Sequence, residues 1–135
     1  MSLVTWSESL SVHVKEFDGQ HQKLVQLLND VYDAVAAKKG NDVLRKVLGD
    51  LIDYTKYHFE TEEKYMDTYG YPEGLKHKQE HKDLTDKVLD FHGKFVAGKA
   101  IVDILVMNFL QEWLVKHILD SDKKYGLYLN TKGVS

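Results

Sequence analysis

Residues 44–65 run LRKVLGDLIDYTKYHFETEEKY, and the spacing within them decides the secondary structure. Leu44, Leu48, Leu51, Thr55, His58, Glu62 and Tyr65 recur at alternating steps of four and three, the repeat that aligns one face of an α-helix. A half-buried strand would instead alternate at every second residue. The same stripe ends in an imidazole and a carboxylate where a buried face should be apolar, so this one stretch raises the question of fold and of chemistry together.

The pattern continues on both sides. Upstream, His21, Leu24, Val25, Leu28, Tyr32 and Val35 form one such stripe; downstream, His77, His81, Leu84, Val88, Phe91 and Phe95 form another, and Val106, Leu110, Trp113 and His117 a third. Breakers separate them at Gly40, at Gly70 to Pro72, at Gly98 and at Gly126. The spacing predicts helices over about 19–38, 42–68, 73–97 and 102–122, with Asp18, Asn41 and Asp42 as candidate N-caps and Pro72 at the entry to the third helix. Residues 1–17 are expected to form an irregular arm. Four helices of roughly 20 residues, each about 30 Å long and joined by short loops, imply an all-α, up-down-up-down antiparallel four-helix bundle spanning 1–135 as a single domain.

Composition fits that reading. The 135 residues are 43% hydrophobic and 29% charged, as expected of one globular core. The chain has no cysteine, which excludes disulfide scaffolds, iron–sulfur clusters, thiolate zinc sites and cysteine nucleophiles. A net charge of -3 without any long basic run argues against nucleic acid as a partner. The longest apolar stretch, Ile101 to Leu110, is interrupted by Asp103 and Asn108, so no membrane span is expected and a cytoplasmic location is.

The chemistry lies at the ends of the stripes. His21 falls near the start of the first helix, His58 and Glu62 near the end of the second, His77 and His81 near the start of the third, and His117 near the end of the fourth. In an up-down-up-down bundle those ends meet at one pole. Imidazoles and a carboxylate gathered in a dry core would each cost several kcal/mol unless they shared a partner, and a metal ion supplies one that accepts neutral imidazole. The i, i+4 spacings of His58 with Glu62 and of His77 with His81 put each pair on one helix face. His77-Lys-Gln-Glu80-His81 also matches the H-x-x-E-H signature of inverted zinc peptidases, but that reading leaves His21, His58, Glu62 and His117 unused.

Taken together, the segments Val14-Lys-Glu-Phe-Asp18-Gly-Gln20-His21, His58-Phe59-Glu60-Thr-Glu62-Glu63, Gly70-Tyr-Pro72 leading to His77 and His81, and Trp113-Leu114-Val-Lys-His117-Ile118 followed by Asp122 and Tyr125 resemble the hemerythrin family, specifically its single-domain bacterial members. The likeness spans nearly the whole chain. It implies reversible O2 binding, rather than catalysis, at two non-haem iron ions joined by an oxo or hydroxo bridge. His77, His81 and His117 would hold one iron, His21 and His58 the other, and Glu62 and Asp122 would bridge them. Two roughly octahedral ions offer about twelve positions; this set with a single-atom bridge fills all but one, on the iron held by two histidines. The resemblance places Phe59, Trp113 and Leu114 around the O2 pocket, and Ile118 adjoins a ligand as a further candidate. Expected partners are O2 and either an oxygen-consuming enzyme or a fused signalling domain.

One ligand does not follow from periodicity. Asp122 lies five residues after His117, about 140° around an ideal helix, whereas Asp120 would share the face of His117. If Asp122 bridges, the helix must be distorted locally, as a π-turn would do. Asp18, Gln20, Glu63 and Tyr125 are the candidates for supporting the ligands from behind. His13 and His92 are expected at the surface or rim. Other readings are an O2 or redox sensing domain, a di-iron oxidase or peroxidase, and a structural zinc bundle; the oxidase is disfavoured by a site rich in histidine and poor in carboxylate.

Overall fold

The computed structural model describes residues 3–135, which are helical with no strand among them. Helices α1 (Lys15–Ala36), α2 (Asn41–Tyr69) and α3 (Gly74–Val96) are followed by α4 (Ile104–His117), a π-helical turn (Ile118–Asp122) and α5 (Lys123–Thr131). The last three run without a break, so the molecule is a bundle of four rods. No described helix is long and apolar enough to cross a membrane.

The boundaries correct several expectations. Helix α1 begins at Lys15, so the arm is shorter than 1–17. Asp18 is not its cap. Instead the Asp18 carboxylate accepts from Ser11 Oγ at 2.5 Å and Val12 N at 2.8 Å, tying the arm to the helix. Neither Asn41 nor Asp42 caps α2; Gly40 holds the N-cap position, without a side-chain bond. Pro72 lies in the loop before α3, whose N-cap is Glu73. Asp103 is a working cap, accepting from Val106 N at 3.1 Å.

The final rod runs to Thr131 rather than ending near 122, and Gly126 lies inside it. A Cβ there would stand 2.1 Å from the Val12 carbonyl oxygen, so glycine marks where the arm crosses the helix rather than where the helix stops. Asn130 Nδ2 donates to the His13 carbonyl at 2.9 Å beside that crossing.

Two apolar clusters fill the interior. One joins Leu24, Leu28, Val31, Leu48, Ile52 and Met107. The other gathers Val12, Val14, Phe17, Met66, Tyr125 and Leu129 around the arm. On α1, α2 and the last rod, the polar residues of the stripes fall between members of the two clusters. The polar site is therefore closed by apolar packing above and below.

Candidate metal centre

Seven polar side chains converge in that gap: His21, His58, Glu62, His77, His81, His117 and Asp122, each no more than 5% exposed. The antiparallel rods bring their ends together as the stripe pattern requires, with His21 from α1, His58 and Glu62 from α2, His77 and His81 from α3, and His117 and Asp122 from the last rod.

Asp122 reaches the cluster because of the π-turn. The Lys123 N–H bonds back to the Ile118 carbonyl, the five-residue step of a π-helix, so the helix turns less per residue there than an α-helix does. Asp122 is 1% exposed and its Oδ1 stands 3.2 Å from His117 Nε2, whereas Asp120 is exposed.

The two carboxylates divide their oxygens between two groups of imidazoles. Glu62 Oε2 lies 3.5 Å from His21 Nε2 and 3.2 Å from His58 Nε2, while Oε1 lies 3.5 Å from His77 Nε2 and 3.1 Å from His81 Nε2. Asp122 does likewise: Oδ2 is 3.1 Å from His21 Nε2, and Oδ1 is 3.0 Å from His77 Nε2. Two ligand sets result, Glu62, His77, His81, His117 and Asp122 in one and His21, His58, Glu62 and Asp122 in the other, with the donor atoms of each set within 4.8 Å of one another.

These donors lack protein partners. Both oxygens of Glu62 and of Asp122, both ring nitrogens of His21, Nε2 of His77 and Nδ1 of His117 are buried without a hydrogen bond. His81 Nε2 and His117 Nε2 face each other at 3.2 Å, two imidazole nitrogens pointed at one spot. Buried polar atoms are rarely left unpaired, so this convergence fits a pair of metal ions that take nitrogen and oxygen donors. The residues suit the group that the sequence implies.

Charge in the metal-free chain points the same way. Burial pushes His21 and His77 down, yet the Asp122 and Glu62 carboxylates outweigh it and hold both at about 9; His117 is held at about 10 against the same burial. Glu62 and Asp122 are themselves kept well below the usual carboxylate range by the surrounding imidazoles, in spite of complete burial. Metal ions would take the place of those protons and compensate the buried carboxylates.

Behind the donors stand the supporting groups. His58 Nδ1 donates to Gln20 Oε1 at 2.6 Å and His81 Nδ1 to Glu63 Oε2 at 3.0 Å, which leaves each Nε2 lone pair free to face inward. Tyr125 donates its hydroxyl to the Glu62 carbonyl at 2.9 Å, and burial raises its phenol far above the ordinary range. Asp18 supports the arm instead of an imidazole. Sequence reasoning missed the group behind His117, namely Glu80, whose Oε1 lies 3.7 Å from Nδ1 and accepts from Ser121 Oγ at 2.7 Å. The facing imidazole, then Ser121, hold Glu80 at about 2 against partial burial. Its signal was present in the sequence: Glu80 is adjacent to His81, on the side of α3 that meets the last rod.

Aromatic rings wall the site. Phe59 stacks on His81 at 3.8 Å between centroids and Trp113 on His117 at 4.4 Å. Phe59, Trp113 and Leu114, together with Leu24, line an apolar cavity of about 60 Å³ in the bundle interior. Ile118 does not line it; 1% exposed, it packs among the arm-side residues. His13 is exposed and His92 half-buried, both apart from the centre.

Comparison with known proteins agrees with this geometry. The family model described as the hemerythrin HHE cation binding domain matches residues 12–128. The chain is 36% identical to a bacteriohemerythrin of Methylococcus capsulatus, with 93% of this chain and 96% of that protein covered. It is also 36% identical to myohemerythrin-1 of Phascolopsis gouldii, with 89% of each covered. A crystal structure of wild-type hemerythrin superposes with a TM-score of 0.91 at 36% identity, over 95% of this chain and 98% of that one. A pole of imidazoles sharing two buried carboxylates, on a bundle that these relatives reproduce nearly end to end, establishes that the chain belongs to the hemerythrin family.

Proposed function

We propose that this chain binds O2 reversibly at two non-haem iron ions, as a carrier, store or delivery protein rather than as an enzyme. His77, His81 and His117 would hold one ion and His21 and His58 the other, with Glu62 and Asp122 shared between them. The observation that carries the assignment is the division of both carboxylates, with one oxygen of each turned to either imidazole group. When bound, the iron pair would supply the electrons, and a hydroxo bridge between the ions the proton, that O2 binding requires.

The chain does the rest. Gln20 and Glu63 fix the tautomers of His58 and His81, so that these imidazoles present a lone pair without rearranging. Phe59 and Trp113 cover two imidazoles face-on, and Leu114 closes the apolar side, which keeps water from the bound gas. The ligands are five histidines and two carboxylates, and that histidine-rich composition favours binding over oxidation of a substrate.

The test is the visible and near-ultraviolet spectrum of the iron-loaded chain in air, under argon after reduction, and in air again. Bands that vanish and then return establish reversible binding. A spectrum that stays oxidised throughout would replace this reading with an oxidase or redox sensor, and two bound zinc ions without iron bands would replace it with a structural role.

A further inference from the structure

The groups behind the imidazoles are distributed unevenly between the two halves of the centre. In the half built by His77, His81 and His117, two imidazoles have a carboxylate behind them: Glu63 accepts from His81 Nδ1 at 3.0 Å, and Glu80 stands 3.7 Å from His117 Nδ1, steadied by Ser121. In the half built by His21 and His58 there is no such charge. His58 donates to the neutral amide of Gln20, and His21 Nδ1, like His117 Nδ1, is buried without a hydrogen bond but has no carboxylate standing behind it. Glu63 and Glu80 are each about one-third exposed, so they keep their charge at little desolvation cost; Gln20 is buried, where a carboxylate would be expensive.

A carboxylate that accepts an Nδ1 proton pulls it outward and makes the imidazole a stronger electron donor, whereas an amide does so much less. It also adds a negative charge close to the metal position, in a medium that screens poorly. Both effects favour the higher metal charge on the side where the carboxylates stand.

We propose that Glu63, Glu80 and Gln20 are positioning residues that set which half of the centre is oxidised first. Glu63 and Glu80 make the His77, His81 and His117 half the one that takes the higher charge. Gln20 leaves the His21 and His58 half suited to the lower charge, the condition under which an exchangeable ligand is bound and released. This rests on the di-iron reading above, and adds to it a division of labour between the halves.

The experiment compares one-electron midpoint potentials of the iron-loaded chain with those of Glu63→Gln, Glu80→Gln, Gln20→Glu and, as a control for lost charge, Glu60→Gln at an exposed position of α2. Glu63→Gln should weaken the preference for the higher charge about tenfold, an upward shift of about 59 mV for one electron. Glu80→Gln should shift it the same way by less, because at 3.7 Å from His117 Nδ1 Glu80 acts through its charge and not through a hydrogen bond. Gln20→Glu should lower the potential of the other step, and Mössbauer spectra of the half-oxidised protein should show the two halves becoming more alike. No shift with Glu63→Gln, or an equal one with Glu60→Gln, overturns the inference; the variants at the partly exposed Glu63 and Glu80 answer the question even if Gln20→Glu fails to fold. Iron content separates the levels of failure: an unaltered chain that takes up less than two ions refutes the di-iron reading itself, whereas full loading with unmoved potentials refutes only this one.

Discussion

Asp120 and Asp122 carry the same carboxyl group two positions apart, and the turn between His117 and Lys123 decides which of them faces the imidazoles. Asp122 is enclosed and shared between both groups, while Asp120 faces solvent. Asp122→Asn should therefore reduce iron content from about two ions to about one per chain, because an amide cannot bridge two cations with two anionic oxygens. Asp120→Asn should leave it unchanged; metal analysis of the two variants checks the assignment, and the opposite result would reverse it. Leu114 presents the other residue-scale question. Truncation to alanine enlarges an apolar cavity already bordering the rings that cover His81 and His117. Leu114→Ala should speed the irreversible oxidation of the iron-loaded protein in air several-fold by admitting water. An unchanged rate would remove Leu114 from the barrier.

Among the elements, the arm and α5 depend on each other. The arm is held by Asp18 at one end and by Asn29 at the other, whose Oδ1 accepts from Leu3 N and Val4 N at 3.0 Å each. At the Asp18 tie, where Val12 is held, it lies directly on Gly126. Gly126→Ala would ordinarily favour a helix, but here the added methyl meets backbone rather than a side chain that can turn away. The expected outcome is a loss of about 1–3 kcal/mol, read as a lower urea midpoint at unchanged slope. A neutral or stabilising result would mean that the arm moves aside freely. The arm closes the site from the α5 side, since Val12 and Val14 pack with Phe17 of α1, Ile118 and Tyr125.

For the whole molecule, the buried ion pairs give the metal-free chain a pH dependence that metal should abolish. His21 and His77 at about 9 and His117 at about 10 lie above their ordinary value of 6.5, so the stability they contribute is complete below pH 6.5 and is lost as pH rises through 9 to 10. Glu62 and Asp122 are depressed, so their share is present above the ordinary carboxylate pKa and is lost only as pH falls through their lower folded values. The metal-free Tm should therefore drop between about pH 7 and pH 10 by at least about 4 °C, the shift that roughly 1 kcal/mol produces in a domain of this size. In the loaded protein the imidazoles would be neutral and ligated, so no such drop should appear. Parallel thermal scans check it; a flat metal-free profile would show that the imidazoles are not protonated.

Much of this was readable from the chain alone, because helical periodicity is a local property. The stripes of α1 to α3 and the polar ends they share follow from residue spacing, and antiparallel packing of rods of similar length brings those ends together. Spacing could not show where the helical geometry gives way. The crossing that requires Gly126 and the approach of Glu80 to His117 depend on contacts between residues distant in sequence, while the π-turn that brings in Asp122 and the use of Asp18 as a clasp are local departures from the regular repeat that spacing alone does not encode. Periodicity fixes the direction of a side chain only relative to its own helix, and which neighbour stands there is set by how the rods pack.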